Sequence, residues 1–248
     1  MFNDHFSAIS GRYAQARPRY PDALFDWVAA QCAAHETAWD CATGNGQAAT
    51  GLVSLFSRVI ATDASAEQIR HAIAHPRVEY RVARAERSGL EDVSVDLVTI
   101  AQALHWLPRA PFYAECRRVL RRGGVLAAWG YHVPLVPHPG LNSAIRHFHD
   151  DVIGPWWPPE RQLVLDRFTT VDFPFDEIAA PDFEMRHAWT LDAFAGYLRT
   201  TSATQRYMAA HHGVDPVSAL VEAIAPLWGP PGAARDVCFP LFLRAGRA

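Results

Sequence analysis

Short apolar runs alternate with segments of mixed polarity through the first half of the chain, and each run has the length of a buried strand. Residues 39–42, 58–63, 78–82, 95–101 and 124–129 are strand candidates, separated by helix candidates at 47–56, 66–74 and 111–120. Alternation of this kind predicts a parallel sheet. Arg121-Arg122-Gly123-Gly124 reads as the end of the last of those helices, with basic residues near its carbonyl end and glycines to leave it. Further on, residues 184–190 and 237–244 are two more strand candidates, and their antiparallel pair completes a seven-stranded, mostly parallel α/β sheet.

Between residues 131 and 183 the alternation gives way to Pro- and Trp-rich sequence with helical stretches at 141–153 and 160–167. Another helical stretch, 191–210, precedes the last strand. We read 131–183 and 191–232 as insertions on the substrate side, because open α/β sheets bind ligands at the carboxyl ends of their strands. The expected architecture is one domain spanning 1–248 with a helical lid, since 248 residues can bury one substantial core. Trp156 and Trp157 either wall a pocket or pack the insertion against the sheet.

A formal charge of −3 spread along the chain provides no basic patch, which argues against a nucleic-acid partner. Cys32, Cys41, Cys116 and Cys238 are widely spaced with no C-x-x-C pair, so the expectation is reduced thiols and not a disulfide framework or zinc ribbon. No basic segment followed by an apolar run opens the chain, and no apolar stretch approaches the roughly eighteen residues that a membrane span needs. A soluble, cytoplasmic protein without a membrane partner is expected. Nothing in the sequence speaks to its oligomeric state.

The chemistry begins at Asp40-Cys41-Ala42-Thr43-Gly44-Asn45-Gly46-Gln47, where a strand candidate ending in an acid enters a Gly-x-Gly turn before a helix candidate. Glycine removes the Cβ that would hold a ligand off the backbone and permits positive φ, so this is a nucleoside-cofactor loop. The third glycine of the dinucleotide fingerprint is replaced by Ala49. About twenty residues further on, Asp63 ends the second strand candidate, where a carboxylate can accept both ribose hydroxyls. Rossmann dehydrogenases share that arrangement, so loop and acid leave the cofactor open.

The discriminating residues are Ala85-Glu86 after the third strand and Gln102-Ala103-Leu104-His105-Trp106 after the fourth. Together with Tyr13-Ala14-Gln15-Ala16-Arg17-Pro18-Arg19-Tyr20-Pro21 and Gly154-Pro155-Trp156-Trp157-Pro158-Pro159-Glu160-Arg161, they make the chain resemble the class I S-adenosylmethionine-dependent methyltransferases. It is similar in particular to the small-molecule group that includes trans-aconitate methyltransferase and the cantharidin-resistance enzymes. The resemblance implies a Rossmann-like fold, S-adenosylmethionine as cofactor and S-adenosylhomocysteine as product. It implies cofactor contacts from Asp40, Thr43, Gly44, Gly46 and Gln47 in the loop. Further contacts come from Asp63 and Ala64 after the second strand, Ala85 and Glu86 after the third, and Gln102 after the fourth. Arg84 stands where many relatives carry an acid.

For the acceptor the resemblance implies a small molecule, with Tyr13, Arg17, Arg19, His105, Trp106, Tyr131 and Trp157 as substrate residues and His105 as the catalytic candidate. A carboxylate acceptor arrives ionised at neutral pH, so cationic or hydrogen-bonding groups would orient it and a base is optional. The alternatives are methylation at carbon, nitrogen or oxygen of a secondary metabolite, with His105 as base, and a non-catalytic S-adenosylmethionine-binding protein. His147, His149, Asp150 and Asp151 lie close together, but they lack the partner set of a metal motif and read as a solvated helix face. No metal is expected, and no G-x-S-x-G elbow points to hydrolase chemistry.

Overall fold

A computed structural model describes residues 18–248. Five parallel strands form its centre: β1 (Thr37–Cys41), β2 (Arg58–Asp63), β3 (Val78–Val82), β4 (Val95–Ala101) and β5 (Leu120–Tyr131). The remaining three are β6 (Asp176–Ile178), β7 (Phe183–Thr190) and β8 (Ala234–Arg247). The order across the sheet is β3-β2-β1-β4-β5-β8, and β8 runs antiparallel to β5. The outer edge of β8 is shared, with β7 paired along Ala234–Leu241 and β6 along Ala245–Arg247. Eight strands thus occupy seven lateral positions, which accommodates the expected seven-stranded plan. The expectation missed β6, whose three residues carry no buried apolar run.

Side chains alternate between two cores, as a strand's period of two requires. Ala38, Val59, Leu97, Val125 and Ala127 face one core with α1 (Asp22–Ala30), α2 (Gln47–Leu52) and the helices of the inserted segments. Trp39, Ile60, Val98, Leu126 and Ala128 face the other with α4 (Arg109–Val119). Burial on both faces explains why the central strands read as near-continuous apolar runs. Between the two long helices on this half of the chain lies the short α3 (Ala66–Arg70), which follows β2.

Helix α4 stops at Val119, and Leu120 is already extended. Arg121 to Gly124 therefore form an irregular opening of β5 and not a helix end, with the pairing register shifting opposite Val95 and Leu97 and Gly123 at φ +76°. Arg117 and Arg118 are the basic residues of the helix's last turn, where they complement its dipole.

The segments read as insertions fold into α5 (Pro139–His147), a π turn at Phe148–Val152, α6 (Arg161–Leu165), α7 (Leu191–Arg199), α8 (Ser202–Ala210) and α9 (Pro216–Trp228). The expected continuous helix over 191–210 breaks because Thr200 and Thr201 turn their hydroxyls back onto the Tyr197 and Leu198 carbonyls. Thr201 then caps α8. The π turn changes which residues face inward: His149 is buried beside Phe148, while His147 stays exposed in a pair with Asp151.

Candidate active site

The strand order reverses between β1 and β4, so their carboxyl ends part and leave a crevice. The loop after β1 shapes one wall. Ala42, Gly44 and Gly46 all have positive φ, at 52°, 56° and 86°. Thr43 donates its N–H to the Thr62 carbonyl, and Gly44 donates its own to Asp63 Oδ2 at 2.9 Å. Asp63 Oδ1 accepts the Ser65 N–H at 2.8 Å. A carboxylate offers about four acceptor sites, so Asp63 can hold this turn and still accept hydroxyls from a ligand.

A cleft of about 640 Å³ opens there. Of the sequence-selected cofactor residues, Thr43, Gly44, Gln47 and Asp63 line it, as do Ala64, Ala85, Glu86 and Gln102. Asp40 and Gly46 do not. Asp40 is fully buried beneath the loop, accepting hydrogen bonds from the hydroxyls of Thr43 and Thr99. Burial pushes its carboxyl up to about 6 against the pull of those bonds, and its role is to tie the loop to β4. Gly46 faces Tyr80 of β3: a Cβ there would lie 2.1 Å from the Tyr80 hydroxyl, so packing demands this glycine. At Gly44, by contrast, a Cβ would meet only Gln68 Oε1, 4.0 Å away on the cleft side.

Two polar lining residues, Asn45 and Gln68, escaped the sequence reading. Asn45 Nδ2 and Gln68 Oε1 are buried without a hydrogen-bond partner, which marks them as groups awaiting a polar ligand. Asn45 sits between the two loop glycines, and Gln68 follows the Ser65 cap of α3, so a search of the first turn after β2 would have found it. Arg84, the departure noted in the sequence, pairs with Glu86 at the cleft's edge. A carboxylate, a Cβ-free approach at Gly44 and two orphaned amide atoms together fit a nucleoside cofactor.

Beyond the cleft lies a smaller pocket of about 70 Å³ lined largely by residues of the inserted segments. Gln102, His105, Trp106 and Tyr131 line both cavities and form the boundary between them. Gln102, at φ 53°, accepts the Tyr131 N–H on Oε1 at 3.0 Å and donates from Nε2 to the Tyr131 carbonyl, so its amide zips the ends of β4 and β5 together. His105 stands on a 3₁₀ turn at Leu104–Trp106, only 7% exposed, with Nδ1 buried and unpartnered. Burial, reinforced by the charge of Arg161, pulls its pKa down to about 3. The imidazole is therefore neutral at pH 7 and offers hydrogen bonding, not charge, at this position.

Trp157 lines the pocket, and its indole donates to the His149 carbonyl at 3.3 Å. Arg161 and His149 were not singled out as site residues, yet both line it. The Arg161 guanidinium lies 4.5 Å from the Trp157 ring centroid, and its Nη2 is 3.4 Å from His149 Nε2. Arg19 is exposed and lines neither cavity; its backbone meets the His187 ring of β7. Tyr13 and Arg17 lie outside the described residues. Among the described residues no cluster of three or more His, Cys, Asp or Glu could hold a metal ion, and no helix is long and apolar enough to cross a membrane.

The model of a methyltransferase domain matches residues 39–128, the span from β1 to β5 that holds the loop, Asp63, Glu86, Gln102 and His105. A Dictyostelium discoideum protein carrying the name methyltransferase is 30% identical over 212 residues, covering 84% of this chain and 81% of that protein. The chain belongs to this methyltransferase family. A solved structure from Anaeromyxobacter dehalogenans, named a type II methyltransferase, is 42% identical with a TM-score of 0.87, covering 93% of this chain and 97% of that one. A Mycobacterium tuberculosis protein named an uncharacterized methyltransferase is 37% identical over 124 residues, 49% of each chain. Membership makes this protein a methyltransferase and implies S-adenosylmethionine as its methyl donor. The domain match ends at residue 128, so the smaller pocket is built largely from sequence outside the matched domain.

Proposed function

We propose that the protein transfers a methyl group from S-adenosylmethionine to a small-molecule acceptor, and that the acceptor atom is a carboxylate oxygen. The observation that carries this reading is the shared boundary of Gln102, His105, Trp106 and Tyr131 between a large cleft with nucleoside-type groups and a small pocket under the lid. S-adenosylmethionine supplies the methyl on a sulfonium already activated for in-line displacement.

The protein's part is alignment and exclusion of water. Asp63, Gly44, Asn45 and Gln68 would hold the nucleoside side, and the rings of Trp106, Tyr131 and Trp157 close the pocket's walls. A carboxylate oxygen carries its lone pair at pH 7 and needs no proton removed. A histidine held neutral, with a pKa of about 3, is a poor base but a serviceable orienting group through its unpartnered Nδ1. An acceptor that does not call for a base is what this site suits, and it agrees with the resemblance to the small-molecule carboxyl methyltransferases.

The experiment is transfer of labelled methyl from S-adenosylmethionine into a panel of small organic acids and a metabolite extract, with S-adenosylhomocysteine measured in step. Product label released as methanol by mild alkali is the expected result. Label that resists alkali would place the methyl on carbon, nitrogen or a hydroxyl oxygen and overturn the carboxylate assignment. Cofactor binding with no transfer to any acceptor would leave a binding protein.

A further inference from the structure

The lid pocket has an uneven lining. Among its described lining residues Arg161 is the only Arg or Lys, and there is no Asp or Glu. Ile145, Phe148, Ile153 and Leu198 supply apolar wall. Thr201 and Ser202 bring the N-terminus of the nine-residue helix α8 to the same space. The first-turn N–H groups of a helix have no backbone partner within it and favour negative charge, and here the Thr201 hydroxyl takes only that of Thr204 among them.

Arg161 is also held in place. Its guanidinium lies over Trp157, its Nη2 meets His149 Nε2, and His149 Nδ1 is 2.8 Å from Asp150 Oδ1. Asp150, His149 and Trp157 thus hold the cation at the pocket wall, to which His149, Trp157 and Arg161 all contribute. Its charge and their own burial lower the pKa of His105, His132 and His149, so the histidines around it do not compete as cations.

We infer that Arg161 is the acceptor-selecting residue, and that it selects small carboxylic acids with a compact apolar body, the carboxylate lying between the guanidinium fork and the start of α8. The inference rests on the methyl-transfer reading for calling that ligand the acceptor. A planar guanidinium matches a carboxylate in two parallel hydrogen bonds, which a point-charge ammonium cannot reproduce. The apolar wall would take the carbon body, and a cavity of about 70 Å³ limits its size. An amine would meet the guanidinium's repulsion, and a neutral amide would offer only one acceptor oxygen.

The test uses the full chain saturated with S-adenosylhomocysteine, titrated by calorimetry with straight-chain acids of about three to eight carbons and with the matching primary amides. Wild type is expected to bind at least one acid about tenfold or more tighter than its amide, Arg161→Gln to bring the pair within about twofold, and Arg161→Lys to keep part of the preference. Unchanged S-adenosylhomocysteine affinity in both variants shows that the fold and the cleft are intact. Equal binding of acids and amides by wild type, binding of neither, or an acid preference that survives Arg161→Gln would overturn the inference. If that variant does not fold, an Arg161→Lys variant with undiminished acid affinity overturns the fork. Acid-selective binding without methyl transfer would instead defeat the functional reading alone, and methyl transfer to an acid with KM unchanged in Arg161→Gln would defeat this inference alone.

Discussion

Asp63 Oδ2 accepts the backbone N–H of Gly44 at 2.9 Å, so the acid that ends β2 holds the turn that leaves β1. The same carboxylate lines the cleft and is the acid expected to take ribose hydroxyls. Its loss removes a ligand contact and a loop support at once.

Asp63→Ala is accordingly expected to weaken S-adenosylhomocysteine binding by about tenfold to a hundredfold, since a hydrogen bond to a charged group contributes about 1.5 to 3 kcal/mol. Asp63→Asn, which keeps one acceptor oxygen, should fall between wild type and Ala. Calorimetric affinities that are the same in all three proteins would remove Asp63 from the cofactor site.

The two loop glycines should fail in different ways. Gly44→Val places its side chain in the cleft, so binding is expected to vanish while the fold bears only the strain of a non-glycine residue at φ +56°, about 1 to 3 kcal/mol. Gly46→Ala drives its Cβ into the Tyr80 hydroxyl and should lose a similar amount to overpacking as well as to strain. Urea denaturation of Gly46→Ala in a Tyr80→Ala background checks this: if removing the ring restores none of the stability, the clash with Tyr80 is not the reason for the glycine.

That contrast shows how far the sequence could be read. The boundaries of β2 and β4 were legible residue for residue because an apolar run between polar turns has one outcome in a parallel sheet, and those of the edge strand β3 because Val78, Tyr80 and Val82 alternate with Glu79 and Arg81. The loop and Asp63 were legible because their chemistry is local to the turn. That Gly46 and Asp40 lie off the cleft lining could not be read, because Tyr80, which packs on Gly46, comes from β3, and Thr99, which bonds Asp40, comes from β4. Arg161 and His149 were passed over as site residues for a related reason: His149 turns inward only where the helix after His147 widens into a π turn, and helical periodicity placed it on a polar face with His147. Contacts between distant elements leave no spacing to read.

Asp40 and His105 should pull stability in opposite directions with pH. The Asp40 carboxyl is raised from 3.8 to about 6 on folding, so its contribution is full below the unfolded value and is lost as pH rises through 6. Relative to Asp40→Asn, wild type should lose on the order of 2 to 3 kcal/mol between about pH 4 and pH 8. Urea midpoints for the two proteins that shift in parallel across this range would mean that Asp40 is not held in a low-dielectric site.

His105 is the converse case, lowered from 6.5 to about 3. The folded protein keeps the imidazole neutral where the unfolded chain takes a proton, so the contribution is whole above 6.5 and is lost as pH falls toward 3. By about pH 5 wild type should have given up about 2 kcal/mol relative to His105→Asn, on top of changes the two share. The same displacement bears on turnover. A base with its ordinary pKa would impose a rate that rises through about pH 6 to 7, whereas an imidazole neutral throughout leaves that range flat. His105→Asn, which retains a hydrogen-bonding side chain, should then keep more activity than His105→Ala, and neither should alter S-adenosylhomocysteine affinity. A wild-type rate with an inflection near 6.5 that disappears in His105→Asn would show that His105 titrates in the working enzyme and acts as a base.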